Sequence, residues 1–408
     1  MRVSELRLQF PQLGESVYGK PLVYLDNAAT SLRPLSVVKK WDEMSLKLNS
    51  NLHRAVHHTA NLATQAFEDT RAAVASFLGA EAREIVFTSG TTHSINLVAG
   101  SLGRMEGFFN AGDEILIAES EHHSDLVPWQ LLAKDKRLNI KVLPVDDKGV
   151  LRLDLLPSLL SPRTRICCVA EVSNVLGVVN PIKEIVDCCH ANGTLVLVDG
   201  AQAVAHLKVD VKALGCDFYA FSAHKMYGAP GVGVLYGRKE LLEAMPPYMG
   251  GGEMIESVSW DKTTYARAPF KFEAGTQNIS GVPTLVPAIE MLGLMSDTAL
   301  QEASVKVKSI VTDALSARGD VHIHGIPDDI STKLPLFSFS VDGVHHEDLA
   351  LILDKMGIAL RSGQMCAEPL MARFGVTGML RASFAPYNTE DEAIYFIESL
   401  DRAIKMLR

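Results

Sequence analysis

The chain is predicted to fold as an α/β protein, with a mostly parallel, seven-stranded sheet in a large domain and a smaller α+β domain after it. Seven short apolar segments, rich in β-branched and aromatic residues, fall between residues 84 and 237, and helical stretches separate most of them. Strands that alternate with helices pair in parallel, with the helices as crossovers. The segments are Glu84–Phe87, Glu114–Ala118, Ile140–Pro144, Arg165–Val172, Thr194–Asp199, Asp217–Ser222 and Val232–Tyr236.

The last of these segments is expected to run against the others. The link that joins Ser222 to Val232 is too short for a helical crossover. We therefore predict that Val232–Tyr236 is an antiparallel strand in an otherwise parallel sheet. A crossover helix is predicted between Pro181 and Gly193, since proline is favoured in the first turn of helices and glycine ends them.

From about residue 285 the regular alternation of strands and helices is lost. Helices are predicted at Pro287–Leu294, Ala299–Ala317 and His346–Met356, and short strands at Val321–His324, Leu336–Val341 and Leu380–Ala385. Thr389 and Glu392 form a capping-box signature before a terminal helix. We expect three parts, which are an N-terminal segment (1–20) packed against the small domain, a large cofactor-binding domain (21–285) and a small C-terminal domain (286–408) that carries Cys366.

Composition and charge exclude several classes of function. Of the 408 residues, 47% are hydrophobic and 21% are charged, which is typical of globular proteins. A net charge of −9 without any basic cluster argues against nucleic acid as a partner. The N-terminus lacks the apolar core of a signal peptide, and no apolar run approaches the ~18 residues of a spanning helix. We therefore expect a cytoplasmic protein without membrane contact.

The spacing of the cysteines argues against a metal site or a disulfide framework. The six cysteines include two adjacent pairs and no C-x-x-C motif. We expect five of them to be reduced residues in the core or near the surface, and we predict no metal ion. Cys366 differs, because its neighbours are polar residues and glycine rather than apolar residues.

Polar residues follow five of the predicted strands at the point where each strand ends. In an open parallel sheet, ligands bind beyond the carboxyl ends of the strands. One strand leads to Lys225, whose amine can form a Schiff base with a pyridoxal aldehyde. Another ends at Asp199, whose carboxylate can keep the pyridine nitrogen protonated. These two residues predict pyridoxal 5'-phosphate as cofactor. Alternatively, Asp199 caps a helix and Lys225 is solvated, although the apolar segment before Lys225 favours a half-buried amine of lowered pKa.

Further strand ends carry groups that suit this cofactor. The loop Ser89–Thr92 precedes a helix predicted to begin near Ser94, and its amides and hydroxyls could bind the phosphate or simply cap the helix. An imidazole of His122 or His123 could stack on the cofactor ring, or both could fill surface or core. Gln202 could hydrogen-bond the ring hydroxyl.

Cys366 lies between two arginines in the sequence, Arg361 and Arg381. Their forked donors suit a substrate carboxylate, although each could instead pair with a structural acid. Nearby positive charge would also favour the thiolate form of Cys366. Cys366 is therefore a candidate nucleophile.

The chain resembles the cysteine desulfurases, which are pyridoxal-phosphate enzymes of fold type I in the class V aminotransferase group. The similarity is to the SufS/CsdA-type branch (group II), which includes selenocysteine lyases, and it runs nearly end to end. The short segment around Cys366 is typical of that branch. The matching stretches include Tyr24–Thr30, Gly90–Thr92, Glu121–His123, Val198–Gln202, His224–Gly228, Phe272–Thr276 and Arg361–Ala367.

The resemblance implies a role for each candidate residue. Lys225 would bind the cofactor aldehyde and move protons, His122 would stack on the ring, and Cys366 would attack the sulfur of L-cysteine. The products would be L-alanine and a persulfide on Cys366. The implied cofactor ligands are Thr91, Thr92, His122, Asp199, Gln202, Ser222, His224, Lys225 and, from the second subunit of a homodimer, Thr276. The implied substrate ligands are Asn174, Arg361 and Arg381.

The resemblance also implies a partner, a sulfur-acceptor protein of the SufE or SufU type that serves iron–sulfur cluster or other sulfur-cofactor assembly. Three positions depart from the common pattern. Met365 replaces a frequent histidine, His93 a frequent acid and Ala223 a common glycine. Met365 leaves open which group would assist proton transfer beside Cys366. The alternatives are a selenocysteine lyase, another pyridoxal-phosphate reaction such as transamination, and a non-catalytic sulfur-relay scaffold.

Overall fold

Seven strands form one sheet in the computed structural model, which describes all 408 residues. In chain order they are β1 (Ile85–Thr88), β2 (Glu114–Ala118), β3 (Asn139–Leu143), β4 (Thr164–Ala170), β5 (Leu195–Asp199), β6 (Phe218–Ser222) and β7 (Gly233–Gly237). Their order across the sheet is β1-β7-β6-β5-β4-β2-β3. Strand β7 runs antiparallel to β1 and β6, and the other neighbours are parallel. The predicted α/β fold and its antiparallel strand are confirmed.

Apolar side chains cover both faces of this sheet. Successive side chains of a strand point to opposite faces. In β4, Cys167 and Val169 belong to one hydrophobic cluster, and Ile166 and Cys168 belong to another. All four side chains are fully buried. The adjacent cysteines therefore lie in two separate cores and are free thiols, as expected.

Fourteen α-helices surround the sheets. They are Val3–Arg7, Leu35–Lys47, His58–Leu78, Thr91–Arg104, Val127–Lys136, Leu156–Leu159, Ile182–Ala191, Val211–Leu214, Lys239–Ala244, Leu285–Met295, Thr298–Ser316, His346–Lys355, Glu368–Arg373 and Glu390–Leu407. The helix after β1 begins at Thr91 rather than near Ser94, because the Ser94 amide already donates to the Gly90 carbonyl. Thr91 and Thr92, which the sequence predicts as phosphate ligands, therefore lie in the first turn of this helix.

A second sheet contains four antiparallel strands from the last third of the chain. They are β8 (Val321–His324), β9 (Leu336–Val341), β10 (Arg361–Gly363) and β11 (Met379–Ser383), in the order β8-β9-β11-β10. The sequence does not reveal β10, because its three residues carry no apolar pattern. The terminal helix begins after Thr389, which forms the predicted capping box with Glu392.

The N-terminal residues contact several distant parts of the chain. Phe10 packs in one cluster with Tyr227 and Tyr387. The short strand Val23–Tyr24 pairs in parallel with Ile358–Ala359. The domain boundaries after residues 20 and 285 stay a prediction. None of the helices combines the length and the apolarity needed to cross a membrane.

One buried ion pair fastens the segment after residue 270 to the large sheet. The Arg71 guanidinium donates to both carboxylate oxygens of Glu273, at 2.7 and 2.9 Å. Glu273 also accepts from the Phe87 amide at 2.7 Å. The two side chains are 2% and 3% exposed, so water cannot replace either partner. Without Glu273, the buried Arg71 would keep only its bonds to the partly exposed Glu68, at 2.9 and 3.1 Å, and to the Ile85 carbonyl.

We therefore expect Glu273→Ala to lower the free energy of unfolding by about 1.5–3 kcal/mol, the range for lost hydrogen bonds to a charged group. Urea denaturation followed by circular dichroism measures this change. The control is Glu398→Ala, which removes an exposed pair with Arg402 (3.5 Å) and should change stability by less than ~1 kcal/mol. If both variants lost the same amount of unfolding free energy, the ion pair between Arg71 and Glu273 would not be a stabilising buried contact.

Candidate active site

A cavity of about 540 Å³ lies at the carboxyl ends of the parallel strands, a size typical of small-molecule sites. Twelve of the thirteen site residues predicted from the sequence line it, namely Thr91, Thr92, His122, Asn174, Asp199, Gln202, Ser222, His224, Lys225, Arg361, Cys366 and Arg381. Thr276 does not line this cavity, and its side chain is exposed. The roles of these residues stay predictions, but their convergence on one cavity is a structural fact.

Lys225 and Asp199 come from adjacent parallel strands. Asp199 ends β5, and Lys225 lies in the 3₁₀ turn directly after β6. Burial lowers the pKa of the Lys225 amine, although the Asp199 carboxylate partly offsets this shift. Burial likewise raises the pKa of Asp199, against the attraction of Lys225 and a hydrogen bond from the Ala201 amide (2.8 Å). No helix follows Asp199, so its carboxylate is not a helix cap.

The first turn of helix Thr91–Arg104 meets the end of β6 and forms a small cradle of donors. The Thr91 amide donates to the Ser222 hydroxyl at 2.8 Å, and the two hydroxyls are also 2.8 Å apart. A Cβ atom on Gly233 would lie 2.4 Å from the Gly90 Cα, so glycine is required for this close approach. A helix N-terminus with hydroxyl donors suits an anion such as phosphate.

Two histidines on the cavity wall are neutral at physiological pH. Burial lowers the pKa of His122 and of His224 to about 4 in each case. The His122 Nδ1 accepts from the Ser124 amide at 3.0 Å, which fixes the orientation of the ring. His224 lies 3.2 Å from the Thr30 hydroxyl. A neutral, fixed imidazole is suited to stack on a flat aromatic ligand.

Two arginines share one carboxylate that sequence reasoning missed. Arg361 lies 3.2 Å from Asp26, and Arg381 lies 3.5 Å from the other oxygen of Asp26. Asp26 is therefore the structural acid that pairs with both arginines. Because one carboxylate neutralises only one of the two positive charges, the binding of a substrate carboxylate by these arginines stays a prediction. The buried Arg381 Nε atom has no hydrogen-bond partner. An arginine with a free donor suits a substrate carboxylate.

The Cys366 loop is held in place by bonds to its backbone. Met365 and Cys366 both have positive φ angles, +53° and +55°, which are unusual for residues other than glycine. The His123 amide donates to the Cys366 carbonyl at 2.8 Å, and the Asn174 amide group donates to the Met365 carbonyl at 2.8 Å. The Cys366 side chain itself is exposed at the cavity.

Two buried acids, Glu121 and Asp125, flank His122 and its turn and were not singled out from the sequence. Burial raises the pKa of both carboxyl groups well above the usual range, and each group lies against the other. One oxygen of Asp125 accepts from the Trp129 indole at 3.0 Å, and one oxygen of Glu121 accepts from the Ala170 amide at 2.8 Å. The second oxygen of each has no other partner, which fits one shared proton.

This geometry predicts a pH-dependent effect of Asp125→Asn on stability. A carboxyl whose pKa is raised in the folded state destabilises the fold as pH rises above its unfolded pKa of about 3.9. Asparagine cannot ionise and keeps the oxygen that faces Trp129. The melting temperature of the variant minus that of the parent should therefore increase from mildly acidic to mildly alkaline pH.

Thermal unfolding followed by fluorescence across this pH range measures the difference. The control is Asp154→Asn, an exposed acid whose pKa is lowered by its bond to Arg152 and which should show no such increase. A constant difference for Asp125→Asn would contradict the shared proton.

Comparisons with known proteins agree with each other. A family model described as aminotransferase class-V matches residues 23–396. A cysteine desulfurase of Dickeya dadantii is 45% identical over 99% of this chain and 97% of its own length. A probable cysteine desulfurase of Vibrio cholerae is 41% identical over 100% of both chains.

Two solved structures are similar over the whole fold. The crystal structure of the Escherichia coli cysteine desulfurase CsdA, in an S-sulfonic acid form, matches with a TM-score of 0.91 and 40% identity over 100% of both chains. The apo cysteine desulfurase from Thermococcus onnurineus matches with a TM-score of 0.92 and 37% identity over 100% of this chain and 99% of its own.

Proposed function

Because the chain belongs to the class-V aminotransferase family, we propose that it is a pyridoxal-phosphate-dependent cysteine desulfurase that converts L-cysteine to L-alanine and leaves the sulfur as a persulfide on Cys366. The observation that carries this proposal is that Lys225, Asp199 and Cys366 line the same cavity. An amine of lowered pKa, a buried carboxylate and an exposed thiol are the three groups that the reaction needs.

The residues present fit pyridoxal phosphate. The cradle at Thr91, Thr92, Ser222 and His224 suits the phosphate, Asp199 the pyridine nitrogen, Gln202 the ring hydroxyl, His122 the ring face and Lys225 the aldehyde. Gln202 is fixed for this role, because its amide donates to the Ala28 carbonyl at 2.6 Å. When bound, the cofactor supplies an electron sink that weakens bonds at the α and β carbons of an amino acid.

Lys225 acts as the base and acid at the substrate α carbon. Since burial lowers its pKa, a larger fraction of the amine is neutral at physiological pH and can accept a proton. Asp199 stays close to an opposite charge, which favours its ionised form despite burial. The substrate carboxylate is bound by Arg381 and Arg361, with Asn174 beside them.

Cys366 takes the sulfur atom of the substrate. A bond forms between the Cys366 sulfur and the substrate sulfur while the bond between that sulfur and the substrate β carbon breaks. The electron pair stays with the β carbon, which accepts the proton that Cys366 gives up and becomes the methyl group of alanine. The thioether of Met365 cannot transfer this proton. The nearby His123 Nε2 atom accepts a hydrogen bond from the Glu368 amide at 3.2 Å, so this nitrogen is already engaged.

The proposal includes a homodimer and a sulfur acceptor. Thr276 is exposed and away from its own cavity, which supports a role for it in the cavity of a second subunit. The persulfide on Cys366 is exposed to a partner protein of the SufE or SufU type, which would pass sulfur to iron–sulfur cluster or other sulfur-cofactor assembly. The cytoplasmic location stays a prediction.

The first experiment identifies the amine. Purified protein loaded with pyridoxal phosphate and reduced with borohydride should carry one pyridoxyl group on the peptide that contains Lys225. Lys225→Ala should carry none and should lose turnover of L-cysteine by on the order of 10²–10⁴-fold, since the acid–base group is absent. A label on another lysine, or undiminished turnover, would refute the assignment.

The second experiment separates cysteine from selenocysteine as substrate. Wild-type protein with L-cysteine and a reductant should release alanine and sulfide in equal amounts. Cys366→Ser should abolish this reaction, whereas Cys188→Ser, at a partly exposed free thiol on helix Ile182–Ala191, should not.

Persulfide should appear on Cys366 alone in mass spectra taken before reduction. Full activity of Cys366→Ser on cysteine would contradict the nucleophile. Turnover of selenocysteine alone would favour the lyase, and turnover of neither would favour the scaffold.

A further inference from the structure

Four consecutive backbone carbonyls next to the active site accept hydrogen bonds from the smaller sheet and the segment that leads into it. They belong to residues 174–177, which follow β4 in the turn that carries Asn174. The bonds are Arg381 Nη1 to Asn174 (2.8 Å), Ser338 Oγ to Val175 (2.5 Å), Lys333 Nζ to Leu176 (2.5 Å) and the Leu334 amide to Gly177 (2.8 Å). We call this set the carbonyl clamp.

The presence of a lysine at position 333 is not explained by a contribution to the stability of the fold. Its side chain is 1% exposed, and its amine bonds only to the Leu176 carbonyl, above the ring of Phe337. No carboxylate pairs with it, and the like charge of Lys308 acts on it in the same direction as burial. Burial lowers the pKa of Lys333 to about 7. A buried amine without an acid is unfavourable, and an apolar side chain of similar length would fill the space as well.

The turn that Lys333 holds leads directly to the reacting groups. Asn174 lines the cavity, and its amide donates to the Met365 carbonyl beside Cys366. Its own carbonyl accepts from Arg381. A shift of the Leu176 carbonyl would therefore move both a substrate-binding side chain and a support of the cysteine loop.

We propose that Lys333 is a positioning residue for the substrate, which holds the turn at residues 173–177 against the smaller sheet so that Asn174 and Arg381 face the substrate carboxylate. The inference rests on the proposed cysteine desulfurase function. The Cys366 loop keeps its separate bond from the His123 amide, so loss of Lys333 should weaken substrate binding more than it slows the chemical step.

Lys333→Met tests this proposal, because methionine keeps the length of the side chain and removes the donor. We expect the KM for L-cysteine to rise by roughly 5- to 10-fold, the effect of one lost hydrogen bond, with kcat within about twofold of the parent. The melting temperature should change little, because the cost of leaving the Leu176 carbonyl without its donor is offset by the removal of a buried amine that no carboxylate pairs.

A second readout does not depend on activity or on the cofactor. Hydrogen exchange of the backbone amides in residues 173–178 should become faster in Lys333→Met than in the parent, with or without pyridoxal phosphate. The matched control is Lys271→Met. Lys271 is also a buried lysine that donates to a backbone carbonyl, that of Glu243 at 2.8 Å, but it contacts neither the turn nor the segment that carries Lys333, so its loss should leave both KM and exchange unchanged.

Ser338→Ala provides an independent test of the same clamp, because it removes only the bond to Val175. It should change KM and exchange in the same direction as Lys333→Met. A lower melting temperature with unchanged KM in both variants would show a merely structural role and overturn the proposal. If the parent does not consume L-cysteine, the proposed cysteine desulfurase function is wrong. If hydrogen exchange is unchanged in both variants, the proposed role of the carbonyl clamp is wrong, whatever the function of the protein.

Discussion

The active site depends on two opposite charges buried at the ends of adjacent parallel strands. Strand β5 delivers Asp199 and strand β6 delivers Lys225, in a register that pairs Asp199 with Ala220. Burial alone would drive both groups towards their neutral forms, and each charge opposes that shift in the other. The sheet must therefore keep this register, since a slip by one residue would turn one of the groups away from the cavity.

The second sheet completes the site from the opposite side. Arg361 lies on β10 and Arg381 on β11, at positions that pair across these strands. Asp26 brings both arginines together and comes from the N-terminal part of the chain. The proposed binding of a substrate carboxylate thus requires the N-terminal part of the chain to meet strands β10 and β11. The carbonyl clamp adds a further connection through Lys333 and Ser338. The site is correctly formed only when the two sheets are held against each other.

Much of this arrangement could be predicted from the sequence, and the remainder has physical reasons for being hidden. Six of the seven strands are visible because buried strands are mostly apolar, whereas the edge strand β3 is largely accessible and carries only three apolar residues. Lys225 stands out because it directly follows a buried strand. Asp26 is hidden because its neighbouring strand has two residues and pairs with residues 358–359, far along the chain. Glu121, Asp125 and Lys333 look like solvated charges in sequence, since nothing local records that tertiary packing buries them.

In the proposed reaction, Asp199 keeps the cofactor nitrogen protonated opposite Lys225. Nitrogen-15 NMR of protein loaded with ring-labelled pyridoxal phosphate measures this directly at mildly alkaline pH. We expect the chemical shift of a protonated pyridine nitrogen in the parent and that of an unprotonated nitrogen in Asp199→Ala, with Asp210→Ala as an exposed-acid control that behaves like the parent. An unprotonated nitrogen in the parent, or a protonated one in Asp199→Ala, would show that Asp199 does not have this role.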